Sequence, residues 1–275
     1  LKGSEGISKT VEKGKSKFVG HEILGKTLGV VGLGAIGVAV ANAAAGLGMK
    51  VLGYDPYLSV SGALHLDTRV EIASLDALLT RSDFITVHVP LTPDTDKMFN
   101  AGTFAKMKDG AVLINNSRGE LADTAAVLEA VESGKLERYI TDFPSDELIG
   151  AKNVICVPHL GASTPEAEDN CAEMAAKELV DYLENGNITH SVNFPDCSAP
   201  RTSPARVCVL HENAEGAISA VTSVISAAGI NIANLMDKSK KDKAYMILDL
   251  DSAPSEKTVK EIEKLGCVIR ARVFA

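Results

Sequence analysis

Short apolar runs alternate with helical stretches along the first 160 residues of the chain. The runs are rich in β-branched residues and are typical of buried strands: TLGVVG, KVLGY, FITVHV, AVLINN, YITDF and NVICVP. Three stretches between them have the composition and periodicity of helices: AVANAAAGLG, SLDALLTR and TAAVLEAVESG. This alternation predicts βαβ units with right-handed crossovers, in which helices cover both faces of a parallel sheet.

A long helix is predicted at residues 164–186, TPEAEDNCAEMAAKELVDYLENG, where apolar positions recur every three or four residues. Thr164 is a plausible N-cap, Pro165 fits the first helical position, and Gly186 ends the pattern. The next segment, NFPDCSAPRTSPAR, combines prolines with polar residues. Such a composition predicts a linker between domains.

Residues 206–275 follow a third pattern. Four strands are predicted there, RVCVLH, INIANLMDKS, AYMILDLD and CVIRARVF, together with two helices, GAISAVTSVISAAG and SEKTVKEIEKLG. Their order along the chain is βαββαβ, the ferredoxin-like arrangement. The region is small and has few acid/base pairs, so we do not expect it to be the catalytic unit.

Composition and charge narrow the possible partners. Hydrophobic residues make up 45% and charged residues 23% of the chain, and no apolar run approaches the ~20 residues needed to span a bilayer. A formal net charge of −8 argues against nucleic acid or a membrane surface as the main partner. The five cysteines lack zinc-type spacing, which favours reduced thiols in a cytoplasmic protein and no metal site.

Three glycines, Gly32, Gly34 and Gly37, lie where the strand TLGVV passes into an alanine-rich helix. In a dinucleotide-binding turn the first permits the tight turn, the second lets a pyrophosphate approach, and the third allows helix and strand to touch. A turn that serves packing alone can have the same spacing. Asp55 ends the next strand, where a carboxylate binds ribose hydroxyls and repels a 2′-phosphate, which favours NAD over NADP. The predicted NAD-binding residues here are Gly32, Gly34, Ala35, Ile36, Gly37 and Asp55.

Ionisable side chains follow three later strands, in INNSRGE, TDFPSDE and VPHLGAST. Open α/β sheets bind ligands at the carboxyl ends of their strands. Reduction of a 2-oxo acid by hydride transfer requires a proton donor, a cation for the carboxylate, and an acid that keeps the donor protonated. His159, Arg118 and a carboxylate at 146 or 147 can supply this set, although His159 alone fits a packed histidine and Arg118 alone a surface ion pair.

Taken in order, GLGAIG, Asp55, VPLTPDT, NNSRGE, TDFP and PHLGAST resemble the motifs of the D-isomer-specific 2-hydroxyacid dehydrogenases, over residues 17–195. The resemblance implies that His159 protonates the substrate carbonyl and Arg118 holds the substrate carboxylate. It also implies a glutamate that is hydrogen-bonded to His159 and keeps it protonated. Further cofactor contacts are implied for Asn116, Ser117, Arg118, Asp142, His159, Gly161 and Ala162.

The identity of that glutamate is open. The family pattern resembles D-V-F-x-x-E, whereas this chain reads TDFPSDE over residues 141–147. Counting from Arg118 without a gap selects Glu147, and aligning the Phe-Pro pair selects Asp146. Glu147 is the preferred catalytic residue, because its longer side chain reaches further.

The C-terminal stretches VLHENAEGAISAV and AAGINIANL resemble the ACT domain, a ferredoxin-like module that binds amino acids, over residues 205–275. The resemblance implies an L-serine site formed by His211, Asn213 and Asn231 where two such domains pair edge to edge. Alternatively, Asn213 caps the following helix and the domain serves assembly alone. Exposed sheet edges favour a homodimer or homotetramer in either case.

The combined expectation is an α/β chain in four segments. Residues 1–161 form a Rossmann-type NAD-binding domain with a doubly wound parallel sheet, and residues 162–195 are the returning helix of a flavodoxin-like substrate domain. Residues 196–204 form a linker and residues 205–275 a ferredoxin-like ACT domain. The first half of the substrate domain would precede Leu1, so these 275 residues alone are expected to bind NAD but turn over poorly.

Within the family, the continuation SVNFP into a linker and small domain is similar to members that act on a phosphorylated 2-hydroxy acid. They oxidise 3-phospho-D-glycerate to 3-phosphohydroxypyruvate, the first step of serine biosynthesis, under feedback by serine. One alternative is a hydroxypyruvate or glyoxylate reductase of the same family. Another is an NAD-sensing regulator without catalysis, against which the joint presence of Arg118, Glu147 and His159 argues.

Overall fold

The computed structural model describes residue 3 and residues 5–274, and the chain divides into two compact units, Leu1–Gly161 and Ala162–Ala275. The first unit contains a parallel sheet and the second an antiparallel one. Within the part of the chain that is described, no helix is both long and apolar enough to cross a membrane.

A seven-stranded sheet forms the centre of the first unit. Its strands are β1 Thr27–Val31, β2 Lys50–Tyr54, β3 Val70–Ile72, β4 Phe84–Val87, β5 Ala111–Asn115, β6 Leu136–Thr141 and β7 Val154–Cys156. All neighbouring pairs are parallel, in the order β3-β2-β1-β4-β5-β6-β7. The order reverses between β1 and β4, and the carboxyl ends of the strands at this switch point are where such sheets bind ligands.

Among the described residues, one helix precedes β1, and the others lie between the strands. They are α1 Ile7–Gly14, α2 Ala35–Gly46, α3 Val60–Leu64, α4 Leu75–Arg81, α5 Ala101–Lys106 and α6 Thr124–Glu132, with 3-10 turns at Lys15–Phe18 and Gly119–Leu121. Four of them begin at polar N-caps whose side chains accept backbone hydrogen bonds, Ser59, Ser74, Asn100 and Asp123. The sequence pattern did not predict β3, α3 or α5, because these short elements, VEI, VSGAL and AGTFAK, contain no continuous apolar run.

Each side of the parallel sheet has its own core. Val30 and Val51 pack with Ala41 of α2 on one side. Their sequence neighbours Val31 and Leu52 pack with side chains of α4, α5 and α6 on the other. Since adjacent residues of a strand point to opposite faces, both faces are covered, and the predicted doubly wound fold is confirmed.

The second unit begins with the long helix α7, Pro165–Asn185. Thr164 is its N-cap and accepts a hydrogen bond from Ala167 N at 3.1 Å, and Gly186 ends it with a φ of 71°. These boundaries confirm the sequence prediction. No residue of α7 is fully buried. Tyr182 packs partly buried against the core around Ile188 and Cys197, whereas the other large apolar side chains of the helix are exposed: Met174, Leu179, Val180 and Leu183.

The ferredoxin-like order is also confirmed. The second unit contains β8 Ala205–Glu212, α8 Ala217–Ala227, β9 Ile232–Lys240, β10 Lys243–Leu250, α9 Glu256–Glu263 and β11 Val268–Phe274. The strands form an antiparallel sheet in the order β11-β8-β10-β9. One face of this sheet packs against α8 and α9 around Val209, Val221 and Ile262.

The other face is covered by the segment between α7 and β8. Ile188 and Cys197 exchange backbone hydrogen bonds of 2.9 and 2.8 Å and pack with Cys208 and Tyr245 of the sheet. The segment predicted as a linker therefore lies against the sheet. All five cysteines are free, and burial raises the pKa of the Cys197 and Cys208 thiols to about 11.

A fully buried arginine, Arg206 of β8, joins these parts. Its guanidinium binds Asp249 through two hydrogen bonds, Nε to Oδ1 at 2.6 Å and Nη2 to Oδ2 at 3.1 Å. It also donates, at 3.0 Å each, to three backbone carbonyls, those of Asn185, Ala199 and Pro200. The end of α7 and the proline-rich segment are thus tied to the sheet by one side chain.

Candidate active site

The turn between β1 and α2 requires glycine at two positions. Gly32 has a φ of +94°, and a Cβ there would lie 2.5 Å from the carbonyl oxygen of His88. A Cβ on Gly37 would collide with the carbonyl oxygen of Gly32. Helix α2 can therefore approach β1 this closely only without a side chain at Gly37.

Gly34 differs, because a Cβ there would meet no atom within 4 Å. Gly34, Ala35 and Ile36 are all exposed, and Ile36 is 69% exposed. They lie at the start of α2, where the first N–H groups have no partner within the helix. Open backbone at a helix N-terminus suits a pyrophosphate, since the N–H groups and the helix dipole both favour an anion. These residues therefore fit NAD.

Asp55 lies beside this turn, one residue after β2. Its two carboxylate oxygens accept hydrogen bonds of 2.8 Å, Oδ2 from Leu33 N and Oδ1 from Tyr57 N. The carboxylate is therefore held next to the glycine-rich turn. A carboxylate in this place suits ribose hydroxyls and disfavours an added phosphate.

The turn that carries Arg118 follows β5. Ser117 Oγ donates to the carbonyl of Val87 at 2.6 Å, which ties the turn to β4. Asn116 and Arg118 are exposed, and Arg118 Nη1 donates to the carbonyl of Ser117 at 2.6 Å. In this structure the guanidinium is therefore held by its own turn, and it is open to solvent.

Two buried residues that the sequence analysis missed support this turn. Asn115, with no exposed surface, donates from Nδ2 to the carbonyl of Arg118 at 2.8 Å and to Tyr139 Oη at 3.3 Å. Its Oδ1 accepts from Ser117 N at 3.3 Å. Burial raises the pKa of Tyr139, so its hydroxyl stays protonated. Asn115 lies within the motif INNSRGE, but the sequence does not show which groups an asparagine at a strand end binds.

His159 is paired with Asp142. His159 Nδ1 lies 2.9 Å from Asp142 Oδ2, and the side chains are 53% and 11% exposed respectively. The Phe143 ring packs beside the imidazole, with centroids 4.6 Å apart and an interplanar angle of 51°. Asp142 Oδ1 is buried and has no hydrogen-bond partner among the described residues.

Glu147 and Asp146 are both exposed, and neither forms a hydrogen bond or ion pair within the described residues. Glu147 instead lines a groove of about 750 Å³ together with Lys97, Tyr139 and Phe143. Within the described residues, the expected hydrogen bond between Glu147 and His159 is not formed. Glu147 lies in the lining of this groove, and the carboxylate next to the imidazole is that of Asp142, with Oδ2 2.9 Å from His159 Nδ1.

The other predicted residues of the site lie on the same edge of the sheet. Arg118, Asp142 and His159 each come one to three residues after β5, β6 and β7, which are neighbours in the sheet. Adjacent strands are about 4.8 Å apart, so the three residues share one edge with the glycine-rich turn. Gly161, with a φ of 55°, is the last residue of the first unit, and Ala162 is the exposed first residue of the second.

The predicted effector residues occupy two ends of the antiparallel sheet. His211 is buried, with Nε2 2.9 Å from Asp237 Oδ1 and Nδ1 2.8 Å from the carbonyl of Glu212. Asn213 Nδ2 donates to the carbonyl of Lys241 at 3.1 Å. The alternative that Asn213 caps α8 is wrong, because the N-cap is Gly216 and it has no side-chain hydrogen bond.

Asn231 lies at the opposite end, just before β9, and donates to Asp251 Oδ2 at 2.8 Å. The start of β9 pairs with the end of β10, whereas His211 pairs with the start of β10. Eight residues of strand separate the two ends, about 25 Å at 3.3 Å per residue. One copy of the chain does not bring Asn231 to His211 and Asn213.

Comparison with known families supports both units. Residues 2–161 match the NAD-binding domain of the D-isomer specific 2-hydroxyacid dehydrogenases. Residues 207–270 match an AHAS small subunit-like ACT domain. The C-terminal ferredoxin-like unit therefore contains an ACT domain.

Curated relatives match over most of the chain. A D-3-phosphoglycerate dehydrogenase of Haemophilus influenzae is 34% identical over 272 residues, which is 94% of this chain and 65% of the relative. D-3-phosphoglycerate dehydrogenase 2 of Saccharomyces cerevisiae is 35% identical over 270 residues, 89% of this chain and 56% of the relative. The chain thus spans 56% to 65% of the length of these relatives.

Solved structures of 2-hydroxyacid dehydrogenases and related reductases are also similar to this chain. A D-2-hydroxyisocaproate dehydrogenase is 30% identical with a TM-score of 0.59, covering 66% of this chain and 60% of its own. A glyoxylate reductase from Paecilomyes thermophila is 28% identical with a TM-score of 0.57, covering 67% and 58%. Because the family's NAD-binding domain matches residues 2–161, more than half of the chain, the chain belongs to the D-isomer specific 2-hydroxyacid dehydrogenase family.

Proposed function

We propose that this protein oxidises 3-phospho-D-glycerate to 3-phosphohydroxypyruvate with NAD, and so starts serine biosynthesis. The observation that carries this proposal is the 34% and 35% identity to D-3-phosphoglycerate dehydrogenases along nearly the whole chain. The match runs through the NAD-binding domain and the ACT domain together. Five free cysteines fit a reducing, cytoplasmic compartment.

The side chains at the edge of the parallel sheet support 2-hydroxy acid chemistry. The exposed Arg118 guanidinium binds the substrate carboxylate by charge-assisted hydrogen bonds in place of its bond to Ser117. His159 Nδ1 faces a carboxylate, so Nε2 is the atom that accepts the substrate hydroxyl proton during oxidation and returns it during reduction. NAD, when bound at the turn after β1, supplies the hydride acceptor.

The C-terminal unit supports a regulatory role in this proposal. We assign L-serine as the effector and His211, Asn213 and Asn231 as its binding residues. Because these residues lie at opposite ends of one sheet, a site that uses all three needs two copies of the chain. The proposal therefore includes a homo-oligomer in which ACT domains of two copies meet.

The test is the loss of NADH absorbance with 3-phosphohydroxypyruvate, hydroxypyruvate and glyoxylate, each with and without L-serine, on the complete polypeptide. We expect the phosphorylated acid to be preferred and its reduction to be suppressed by serine. The fold likeness to a glyoxylate reductase favours hydroxypyruvate or glyoxylate as the second candidate, and preference for either would establish it. NADH binding without turnover of any acid would indicate a regulator.

A further inference from the structure

We infer that the buried hydroxyl of Tyr139 helps Arg118 to bind the substrate carboxylate, by fixing the turn that carries the arginine. The hydroxyl acts through the Asn115 side chain. Tyr139 and Asn115 are therefore positioning residues, and Arg118 is the residue that touches the substrate. This inference rests on the proposed function, because it concerns the same site and the same group of the substrate.

Strand register brings three polar side chains together on one face of the parallel sheet. Asn115 of β5 is paired with Thr141 of β6, and Leu113 is paired with Tyr139. Alternate residues of a strand share a face, so Asn115, Tyr139 and Thr141 lie on the face where Leu113 joins the core. None of the three polar residues is more than 2% exposed. Their polar groups therefore need partners within the protein.

The amide of Asn115 holds the turn after β5 from below. Oδ1 accepts a hydrogen bond from Ser117 N at 3.3 Å, and Nδ2 donates to the carbonyl of Arg118 at 2.8 Å. An asparagine amide has two N–H donors, and Nδ2 also donates to Tyr139 Oη at 3.3 Å. One side chain thus binds the backbone on both sides of the Ser117–Arg118 peptide and is itself held by the tyrosine.

The Tyr139 hydroxyl is a constant partner for this amide. Burial raises the pKa of Tyr139, and hydrogen bonds with Asn115 and Thr141 oppose that rise only in part. The hydroxyl therefore stays protonated and uncharged at neutral pH. The last torsion of an asparagine side chain has a broad energy minimum, so its hydrogen-bond partners decide how the amide is oriented. Without the hydroxyl, the Asn115 amide would be free to rotate away from the turn.

The place of the Arg118 backbone matters because little else orients its side chain. Within the described residues, the guanidinium donates only to the carbonyl of Ser117, at 2.6 Å. A substrate carboxylate must replace that bond. The planar fork of an arginine binds a carboxylate through two parallel hydrogen bonds, which requires the guanidinium to start from the right place.

The same buried residues also support the neighbouring turn, after β6. Thr141 Oγ1 accepts a hydrogen bond from Phe143 N at 3.0 Å. A Cβ on Gly119, the residue after Arg118, would lie 3.3 Å from Phe143 Cβ, so the two turns are in contact. Asn115, Tyr139 and Thr141 therefore hold the Arg118 turn directly and through the turn beside it.

The first experiment measures amide hydrogen exchange by mass spectrometry in the complete polypeptide bound to NADH. Tyr139→Phe removes the hydroxyl and keeps the ring. We expect exchange in residues 116–119 to become faster by about three- to tenfold, as for the loss of one hydrogen bond. Tyr245→Phe is the matched control, because Tyr245 is also buried and its Oη donates to the carbonyl of Gly186 at 2.6 Å in the other unit. It should leave exchange in residues 116–119 unchanged.

The second experiment measures reduction of the preferred oxo acid. Tyr139→Phe should raise KM for the acid by about three- to tenfold and change kcat by less than about twofold, because Arg118 binds the carboxylate equally before and during hydride transfer. Tyr245→Phe should change neither constant. A role in stability alone would lower the melting temperature of both variants and leave KM as in wild type.

A double-mutant cycle with Arg118→Lys tests whether the hydroxyl acts through the guanidinium. A lysine ammonium is a point charge without the rigid fork of arginine, so it depends less on the exact place of the turn. Tyr139→Phe should therefore raise KM by less than about twofold in the Arg118→Lys background. An equal rise in both backgrounds would overturn the inference.

The two proposals fail in different ways. If wild-type protein reduces an oxo acid and Tyr139→Phe keeps the wild-type KM, the inference is wrong and the proposed function stands. If wild-type protein reduces none of the acids, the proposed function is wrong, and the exchange comparison still decides whether the hydroxyl fixes the turn. Unchanged exchange of residues 116–119 in Tyr139→Phe would overturn the inference in either case.

Discussion

Arg118 in the first unit and Arg206 in the second both lie close to a strand terminus, yet their surroundings are opposite. Arg118 is exposed, and among the residues that the structure describes its guanidinium has a single hydrogen bond, to the carbonyl of the preceding residue. Arg206 has no exposed surface and binds one carboxylate and three backbone carbonyls. The donors of one arginine are available to a ligand, whereas those of the other are used within the fold.

The same contrast extends to the neighbours of each arginine. In the first unit, Gly34 and His159 lie on exposed turns above a buried sheet. In the second, Asp249 is buried against the Arg206 guanidinium, and His211 is buried with its ring nitrogens next to Asp237 and the carbonyl of Glu212. The candidate ligand-binding residues thus lie on turns whose positions are set by a rigid sheet. The buried Arg206 instead connects β8 to the end of α7 and to the segment that follows it.

The largest expected effect comes from breaking the buried pair of the second unit. Asp249→Asn leaves the Arg206 charge buried without compensation, and we expect the free energy of unfolding to fall by about 3–5 kcal/mol. Chemical denaturation of the wild-type and variant chains measures this loss. Arg270→Leu, on the exposed surface of β11, is the control and should change stability by less than about 0.5 kcal/mol.

Replacing Arg206 and Asp249 together by Met and Leu should recover only part of the lost stability. The carbonyls of Asn185, Ala199 and Pro200 would still lose their donor. Full recovery in the double variant would show that the ion pair alone matters and that the ties to α7 and the proline-rich segment do not.

An intermediate effect is expected at the glycine-rich turn. Substitution of one glycine there should affect stability, and substitution of another should affect NADH binding. Gly37→Ala should lower the free energy of unfolding by about 1–3 kcal/mol, because the new Cβ meets the carbonyl of Gly32. Gly34→Ala has free space and should fold as the wild type does, but weaken NADH binding by about tenfold. Thermal melts and NADH fluorescence titrations measure the two quantities. Equal NADH affinity in Gly34→Ala and wild type would remove this turn from the cofactor site.

The smallest effect concerns a charge pair near the surface of the first unit. Burial raises the pKa of Asp83, but hydrogen bonds from Thr27 N at 2.8 Å and Lys108 Nζ at 2.9 Å outweigh it, so the pKa is lowered. A lowered folded-state pKa stabilises the protein above the unfolded value of about 3.9, and the contribution is lost as pH falls through the folded value.

Asp83→Asn should therefore destabilise the chain at pH 7 by less than about 1 kcal/mol, because solvent screens the pair. The difference from wild type should shrink as the pH falls below about 4. Urea denaturation at several pH values measures it. A difference that grows on acidification would contradict the assigned direction.

The hydrophobic pattern was sufficient for the long elements. Six of the seven strands of the parallel sheet, the limits of α7 and the βαββαβ order follow from apolar spacing together with Thr164, Pro165 and Gly186. Short elements such as β3 were missed because its three residues, VEI, do not lie in a continuous apolar run, unlike the equally short β7 within NVICVP. The segment after α7 was interpreted as a linker because it is polar and rich in proline, whereas the structure shows Cys197 and Ala199 buried in it.

Side-chain partners were the least predictable part of the candidate site. The motifs directed attention to His159 and to carboxylates at 146 and 147, but the structure places Asp142 against the imidazole. Spacing along a loop does not state which way each side chain turns. The buried Leu148 decides that direction for Glu147, and Thr141 decides it for Asp142.

The sequence by itself determined the family motifs, the order of strands and helices, and the glycines of the turn after β1, because periodicity, caps and Cβ sterics act between residues close in the chain. Only the tertiary structure decided that Arg206 is buried, that Asn231 lies far from His211, and that Asp142 contacts His159. These features depend on strand pairing and on packing between segments that are distant in sequence. The energies of such contacts depend on which residues meet in the folded chain and not on local spacing.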